Sequence, residues 1–465
     1  MVKTMLDNVS HVHFIGIGGI SMSGLAEILL KDGYRVSGSD WQASGITQAL
    51  AEKGVPIFLG NDAAHIKDGV QLVVHTAAVK PHNPELVAAR QRGIPIIDRA
   101  QLLGFIMKGY ARSVAVAGTH GKTSTTAILA DVFLSAGLDP TISIGGVMDS
   151  IGGRNIRVGH SPYFLLEACE YFDSFLQFHP AVGVILNMES DHLDYFGTFE
   201  NMKNSFRQFA GNAREALVVH GGIPGLRALT EGATVPVLTY GPPGSQFTAR
   251  HLETGPGGLP TFHIYNGEVS LGVCRLPLVG THNIDNALAA AAVATAMGLP
   301  PADIIRGLEG AQGVHRRYQA KGYFAVNGHE IPVIDDYAHH PTEIKTTLAA
   351  AKRPGSRILC AFQSHTYTRT QHLMDTFAAA FEDADEVLIL PIFAARETLQ
   401  AGQAPNYLAE LLTKRIRENG QSAHFLPSFE TAAAWLRTHA QPGDVLLTMG
   451  AGDIHLLGEG LVAGE

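Results

Sequence analysis

A chain of 465 residues has room for two to four domains at about 100–200 residues each, and 46% hydrophobic with 17% charged residues excludes a disordered chain. A formal net charge of -9 argues against bulk nucleic-acid binding, which needs basic surface, but leaves room for a local basic pocket for an anionic small molecule. Cys169, Cys274 and Cys360 form no CxxC pair, no apolar run reaches the roughly 18 residues of a membrane span, and residues 1–8 lack a signal-peptide core; a cytoplasmic chain with no membrane partner, no disulfide framework and no zinc knuckle is expected.

Residues 11–16 read as a strand entering the turn Gly16-Ile17-Gly18-Gly19-Ile20-Ser21. A helical pattern over 22–31 follows, then a second strand over 34–40 that ends in Asp40. This is the outline of a dinucleotide-binding βαβ unit, in which glycines admit a diphosphate and the later acid takes ribose hydroxyls. Ser21 stands where a nicotinamide fingerprint wants Gly or Ala, which counts against an oxidoreductase. Further strands at 55–58, 72–75 and 94–97, with helical stretches such as 84–92 between them, predict a parallel sheet covered by helices. His75 and Thr76 end a strand, where ligands of such sheets bind. Arg99 opens the helix after the next strand, a place that a solvated helix start also explains. These residues make a first domain over 1–110.

The second domain, 111–321, is organised around Gly118-Thr119-His120-Gly121-Lys122-Thr123-Ser124. An apolar strand over 113–117 leads in, and a helix over 127–133 leads out. Strand, glycine turn, Gly-Lys-Thr, helix is the grammar of a phosphate loop, here shortened by two residues between its glycines. Backbone N–H groups would cradle an anion, Lys122 would reach the β- and γ-phosphates, and Thr123 would offer its hydroxyl to Mg²⁺. A strand over 163–167 ends in Glu167, and another over 182–187 runs into Met188-Glu189-Ser190-Asp191-His192. Acids at strand ends beside a phosphate loop are where a nucleotide's metal sits, so Glu167 and His192 are candidates, the His being an unusual ligand for Mg²⁺. An amphipathic helix over 199–210 and a hairpin-bearing β layer within 211–280 follow. Asn283 and Asn286, spaced i,i+3, share a face of an Ala-rich helix, and Arg316-Arg317 close the domain. One of these arginines could neutralise a moving phosphate.

The last domain, 322–465, is a new βα series. Its strand ends would bring Asp336, His339, His340, His365 and Arg369 to one edge, and a glycine turn, Gly450-Ala451-Gly452, follows its final strand. The expected class is thus α/β in three domains: a Rossmann-like first domain, a central phosphate-loop ATPase with a parallel sheet plus a small β layer, and a Rossmann-like last domain.

Taken together, His13-Phe-Ile-Gly-Ile-Gly-Gly19, Gly118-Thr-His-Gly-Lys-Thr123, Asp191-His-Leu-Asp194, His282-Asn283 with Asn286, Arg316-Arg317-Tyr318 and Asp336-Tyr-Ala-His-His-Pro-Thr-Glu343 resemble the Mur ligases of peptidoglycan synthesis, and within them the alanine-adding branch. The resemblance implies ATP-driven amide formation with Mg²⁺, UDP-N-acetylmuramate and L-alanine as substrates, and a monomer or homodimer that closes on them. It implies catalytic roles for Lys122, Glu167, His192, Arg317, Asp336 and His340, and a metal at Thr123, Glu167 and His192. Nucleotide contacts fall on residues 118–124, Asn283, Asn286, Arg317 and Asp336. Substrate contacts fall on Gly16, Gly18, Gly19, Ser21, Asp40, Thr76, Arg99, His192, His340, His365 and Arg369. Two departures stand out: Cys169 where the branch often carries Asp, and Thr366 where it often carries Arg. Phe206 stands where several relatives have a carbamylated lysine, so that feature is not expected. Rival readings are a recycling ligase that adds a peptide, a ligase of the same family that adds another amino acid, a nicotinamide oxidoreductase, and an inactive nucleotide-sugar sensor.

Overall fold

The computed structural model of the protein describes residues 5–76, 78–395, 397–399 and 404–464. Among them the strands form three sheets. The first holds β1 (His11–Ile15), β2 (Arg35–Asp40), β3 (Ile57–Leu59), β4 (Leu72–His75) and β5 (Ile96–Asp98) in the order β3-β2-β1-β4-β5. All its pairings are parallel. The order reverses between β1 and β4, so a crevice opens where both strands end, at Gly16 and Thr76. β1 is buried at every position, as a central parallel strand covered on both faces must be.

The second sheet has ten strands: β6 (Arg112–Ala117), β7 (Thr141–Met148), β8 (Arg154–Arg157), β9 (Tyr163–Glu167), β10 (Val182–Ile185), β11 (Ala216–His220), β12 (Val237–Gly241), β13 (Phe247–Thr254), β14 (Pro260–Asn266) and β15 (Val269–Arg275). Their order is β15-β14-β13-β12-β11-β10-β6-β9-β7-β8, so the glycine- and proline-rich strands extend one edge of this sheet. β6 lies between β9 and β10, parallel to both. That placement fixes the site: the loop after β6 is flanked by the residues that end β9 and β10. Phe164, Phe175, Phe206 and Phe209 are fully buried beneath it, each burial contributing about 1.5–3 kcal/mol. Phe206 packs edge-on against Phe175 at 5.1 Å, the place of a core residue.

The third sheet holds β16 (Gln319–Val326), β17 (His329–Asp336), β18 (Ile358–Phe362), β19 (Glu386–Ile389), β20 (Ala423–Phe425) and β21 (Val445–Met449) in the order β16-β17-β21-β18-β19-β20. β16 and β17 form an antiparallel hairpin on an otherwise parallel sheet. The chain divides into two compact units. One comprises Met1–Leu252, Phe262–Arg275 and Asp285–Gln312, and carries the first two sheets; the other comprises Glu253–Thr261, Leu276–Ile284 and Gly313–Glu465, and carries the third. Among the described residues, no helix is long and apolar enough to cross a membrane.

Candidate functional site

The turn after β6 is built to keep its backbone close to whatever sits at the mouth of the helix Lys122–Ser135. Gly121 caps that helix with φ +79°, and a Cβ there would lie 2.9 Å from Asn286 Oδ1, so only glycine fits. The turn is pinned from the β10 side. Asn187 Oδ1 accepts the His120 N–H (2.8 Å), and Asn187 Nδ2 donates to the His120 carbonyl (3.0 Å). Thr119 Oγ1 accepts the Glu189 N–H at 2.9 Å. Asn286 joins from the opposite side, accepting from Thr125 Oγ1 at 3.0 Å. Ser124 lies in the first turn of the helix, where N–H groups have no intrahelical acceptor.

Lys122 folds back over this turn. Its Nζ donates to the carbonyls of Gly118 (2.6 Å) and Thr119 (3.1 Å) and to both oxygens of Glu170 (3.1 and 2.9 Å). Glu170 is fully buried and the lysine nearly so. Burial is the largest single influence and works to lower the Lys122 pKa, but the charge and hydrogen bond of Glu170 together with Cys169 and Glu167 outweigh it and hold the ammonium well above its ordinary range. Beside it Thr123 Oγ1 donates to Glu167 Oε1 at 3.0 Å, and the Gly145 N–H fixes Glu167 Oε2 at 2.7 Å. Two oxygen ligands thus meet at the helix mouth, a donor set that fits Mg²⁺. Cys169, between these carboxylates in sequence, is pushed up to about 11 by burial and then by Glu170, so it stays a neutral thiol. His192 has φ 53°, and its ring stacks on Tyr171 at 4.4 Å with Nε2 3.7 Å from Asp191.

In the first sheet, the turn after β1 hangs on the end of β2. The N–H groups of Gly16 and Ile17 donate to the Ser39 carbonyl (2.8 and 3.0 Å), and the Gly18 N–H to Asp40 Oδ2 (2.7 Å). Asp40 Oδ1 takes the Trp41 N–H at 2.8 Å. Oδ2 therefore braces the turn, while Oδ1 is held by the residue that follows Asp40. Thr76 lies beside Gly16, its Cγ2 3.4 Å from where a Cβ would stand. Gly19 and Ser21 bracket the N-terminus of the helix Ile20–Lys31. Arg99 starts the helix Arg99–Met107, capped by Asp98, one strand outward from the β1/β4 crevice.

The second unit collects its own strand-end residues. Asp336 is buried and accepts the N–H groups of Tyr318 (2.8 Å) and Ala338 (2.7 Å). Burial lifts it to about 6 against the opposing pull of Arg317 and these N–H groups. Arg317 lies 3.7 Å from Glu343 and over the Tyr337 ring. Its neighbour Arg316 is structural, holding Asp335 at 3.0 Å and the carbonyls of Gly450 and Gly452. Asn283 turns its amide onto the Val279 carbonyl at 2.8 Å. His340 caps the helix Pro341–Ala351. His339 and His365 have ring centroids 6.1 Å apart, and Arg369 approaches His365 Nδ1 at 3.5 Å. Burial drops His339 to about 3, with Glu343 opposing and Arg369 and Arg317 adding to the fall. Thr366 takes φ 67°, a conformation costly for a β-branched residue.

Sequence reasoning missed Glu170, Asn187 and Tyr171. Asn187 ends a strand beside the loop, which was a usable signal; Glu170 and Tyr171 lie in an irregular segment that offers none.

The Mur ligase family catalytic domain matches residues 11–111, the Mur ligase middle domain residues 116–294, and the Mur ligase glutamate ligase domain residues 316–452. A UDP-N-acetylmuramate–L-alanine ligase of Acetivibrio thermocellus is 48% identical over 97% of this chain and 95% of its own. One of Clostridium novyi is 46% identical over 97% of each. The crystal structure of the UDP-N-acetylmuramate–alanine ligase of Thermotoga maritima superposes with a TM-score of 0.78 at 29% identity, covering 98% of both chains. With three consecutive family domains spread over a phosphate loop and two further nucleotide-type sheets, the chain belongs to the Mur ligase family.

Proposed function

We propose that this chain is an ATP-dependent ligase that joins L-alanine to the carboxylate of UDP-N-acetylmuramate, releasing ADP and phosphate, in the cytoplasmic stage of peptidoglycan precursor synthesis. The observation that carries the reading is the meeting of Lys122, Thr123 and Glu167 at one helix mouth, in a chain 42–48% identical to relatives bearing that name.

A carboxylate is a poor electrophile, because substitution at its carbon would expel oxide. Attack of the muramate carboxylate on the γ-phosphorus, with the bond to the bridging oxygen of ADP breaking, gives an acyl phosphate. The neutral amine of L-alanine adds to that carbonyl, a proton leaves the nitrogen, and the tetrahedral adduct expels inorganic phosphate. Residues 118–124 cradle the phosphates with backbone N–H groups, and Lys122 exchanges its contact with Glu170 for one with phosphate oxygens. Thr123 and Glu167, with His192 as a less usual third donor, would hold Mg²⁺, whose charge offsets that of the phosphates. In the second unit Asn283, Arg317 and Asp336 are assigned to the nucleotide, and His340, His365 and Arg369 to the amino-acid side. Asn286 belongs with the loop. Gly16, Gly18, Gly19, Ser21, Asp40, Thr76 and Arg99 are assigned to the UDP-sugar, Asp40 by shaping the turn as much as by contact.

A murein peptide ligase of Psychrobacter arcticus also superposes, with a TM-score of 0.69 at 25% identity, so a peptide is the competing amine. ADP release measured with UDP-N-acetylmuramate and a panel of amino acids and peptides decides. L-alanine is expected to give the highest kcat/KM, and ADP release indifferent to the nucleotide sugar would refute the proposal.

A further inference from the structure

Next to the phosphate loop, residues 170–174 and 191–196 are tied crosswise by two hydrogen bonds. Tyr171 Oη donates to Asp194 at 2.7 Å, and Tyr195 Oη donates to Asp173 at 2.7 Å. The rings interlock: Tyr171 stacks on His192 at 4.4 Å and 25°, Phe172 packs on Tyr195 at 5.0 Å, and Tyr171 meets Tyr195 edge-on at 6.2 Å. Three non-glycine residues here hold left-handed backbone, Phe172 (φ 56°), Asp173 (φ 54°) and His192 (φ 53°). Such backbone persists only where its surroundings over-determine it. Each segment carries one residue of the site. Glu170, which holds Lys122, directly precedes Tyr171, and its carbonyl accepts the Asp173 N–H at 2.9 Å; His192 directly precedes the helix that bears Asp194 and Tyr195. A single tyrosine–carboxylate bond at the surface competes with water and fixes little. Two crossed bonds that share stacked rings hold one another in register.

We propose that Tyr171 and Tyr195 are positioning residues, whose crossed bonds to Asp194 and Asp173 set the His192 ring and keep Glu170 seated under Lys122. The kinetic part of the test rests on the ligase reading above; the spectroscopic part does not.

Tyr171→Phe and Tyr195→Phe each delete one surface hydroxyl and keep the ring, and Tyr171→Leu removes the stacked ring. In the metal-free full chain with ring-labelled histidine, the His192 signals are assigned by their loss in His192→Gln. They are expected to move downfield in Tyr171→Leu, because the shielding face is gone, and part of that way in Tyr171→Phe, because the ring is no longer tethered over His192. In ADP-release assays each Tyr→Phe variant is expected to lose about tenfold in kcat with the KM for L-alanine unchanged. The double Tyr→Phe variant should lose little more than either single, since the two bonds act as one device. Unmoved His192 signals in Tyr171→Leu, or in Tyr171→Phe, overturn the proposal. So do kcat losses that multiply in the double variant, or a fall in kcat that tracks a fall in melting temperature. A wild-type chain that releases no ADP with both substrates defeats the ligase reading instead, and the ring-shift comparison then still decides the clasp.

Discussion

The pairing of Lys122 with Glu170 makes a sharp demand on the ligand-free protein. The carboxylate is fully buried and bonded to Nζ at 2.9 and 3.1 Å, while the lysine keeps two further acceptors in the carbonyls of Gly118 and Thr119. Lys122→Met strands a buried carboxylate and should cost about 3–5 kcal/mol. Glu170→Met leaves the ammonium its two carbonyls, so its cost is set by the lost charge-assisted contact with the carboxylate, about 1.5–3 kcal/mol. Replacing both with methionine removes the stranded charge along with its partner. The double variant should therefore lie within about 1–2 kcal/mol of wild type, less damaged than Lys122→Met alone. Urea melts followed by circular dichroism give the free energies. Hydrogen exchange in the helix Lys122–Ser135 identifies which transition has moved. A double variant destabilised by the sum of the two singles would mean that the charges do not meet in solution, and the account of Lys122 as a residue held in readiness by Glu170 would fail.

The second unit should show opposed pH slopes. Asp336, raised by burial to about 6, gives stability that is present below about pH 4 and lost as pH rises through 6; His339, lowered by burial to about 3, gives stability that is present above about pH 6.5 and lost as pH falls. Between about pH 4 and 6, unfolding free energies from urea melts read from Trp435 in a Trp41→Phe background should fall with rising pH in His339→Asn and rise in Asp336→Asn, each by about 1.4 kcal/mol per pH unit; slopes of the same sign refute this. At Gly145 a Cβ would lie 2.7 Å from Glu167 Oε2, so Gly145→Ala should push the carboxylate off Thr123 and cost about a hundredfold in kcat with little change in melting temperature, as steady-state kinetics beside a thermal melt would show. Gly121→Ala, at φ +79° and 2.9 Å from Asn286 Oδ1, should cost about 1–2 kcal/mol in a urea melt and raise the KM for ATP; an unchanged KM would count against the loop as the nucleotide cradle.

Strand ends were the part of this protein most open to reading from sequence, and the reason is geometric. A parallel sheet delivers the C-terminal ends of its strands to one edge, so a polar residue that breaks an apolar run, such as Glu167 after Leu165-Leu166 or the pair Asp335-Asp336 after Val333-Ile334, is placed by pattern alone. Pattern does not say what such a residue touches. Asp40 ends β2 where a ribose acid belongs, yet one of its oxygens is engaged by Gly18 N–H, because the turn after β1 leans on the end of β2, and the other by the N–H of its neighbour Trp41. The Asn283 and Asn286 amides leave one helix at i,i+3 spacing but part ways, one returning to Val279 and the other reaching Thr125. Glu170 is the clearest case. Its importance comes from a lysine 48 positions earlier that turns back across its own loop, and no local period encodes that meeting. The clasp of Tyr171 and Tyr195 has the same character, joining residues 23 and 22 apart through bonds from ring to carboxylate. What a sequence announces is which groups arrive at an edge. Which of them then hold each other depends on side chains crossing between strands, and here that crossing decides how Lys122, Glu167 and His192 are held.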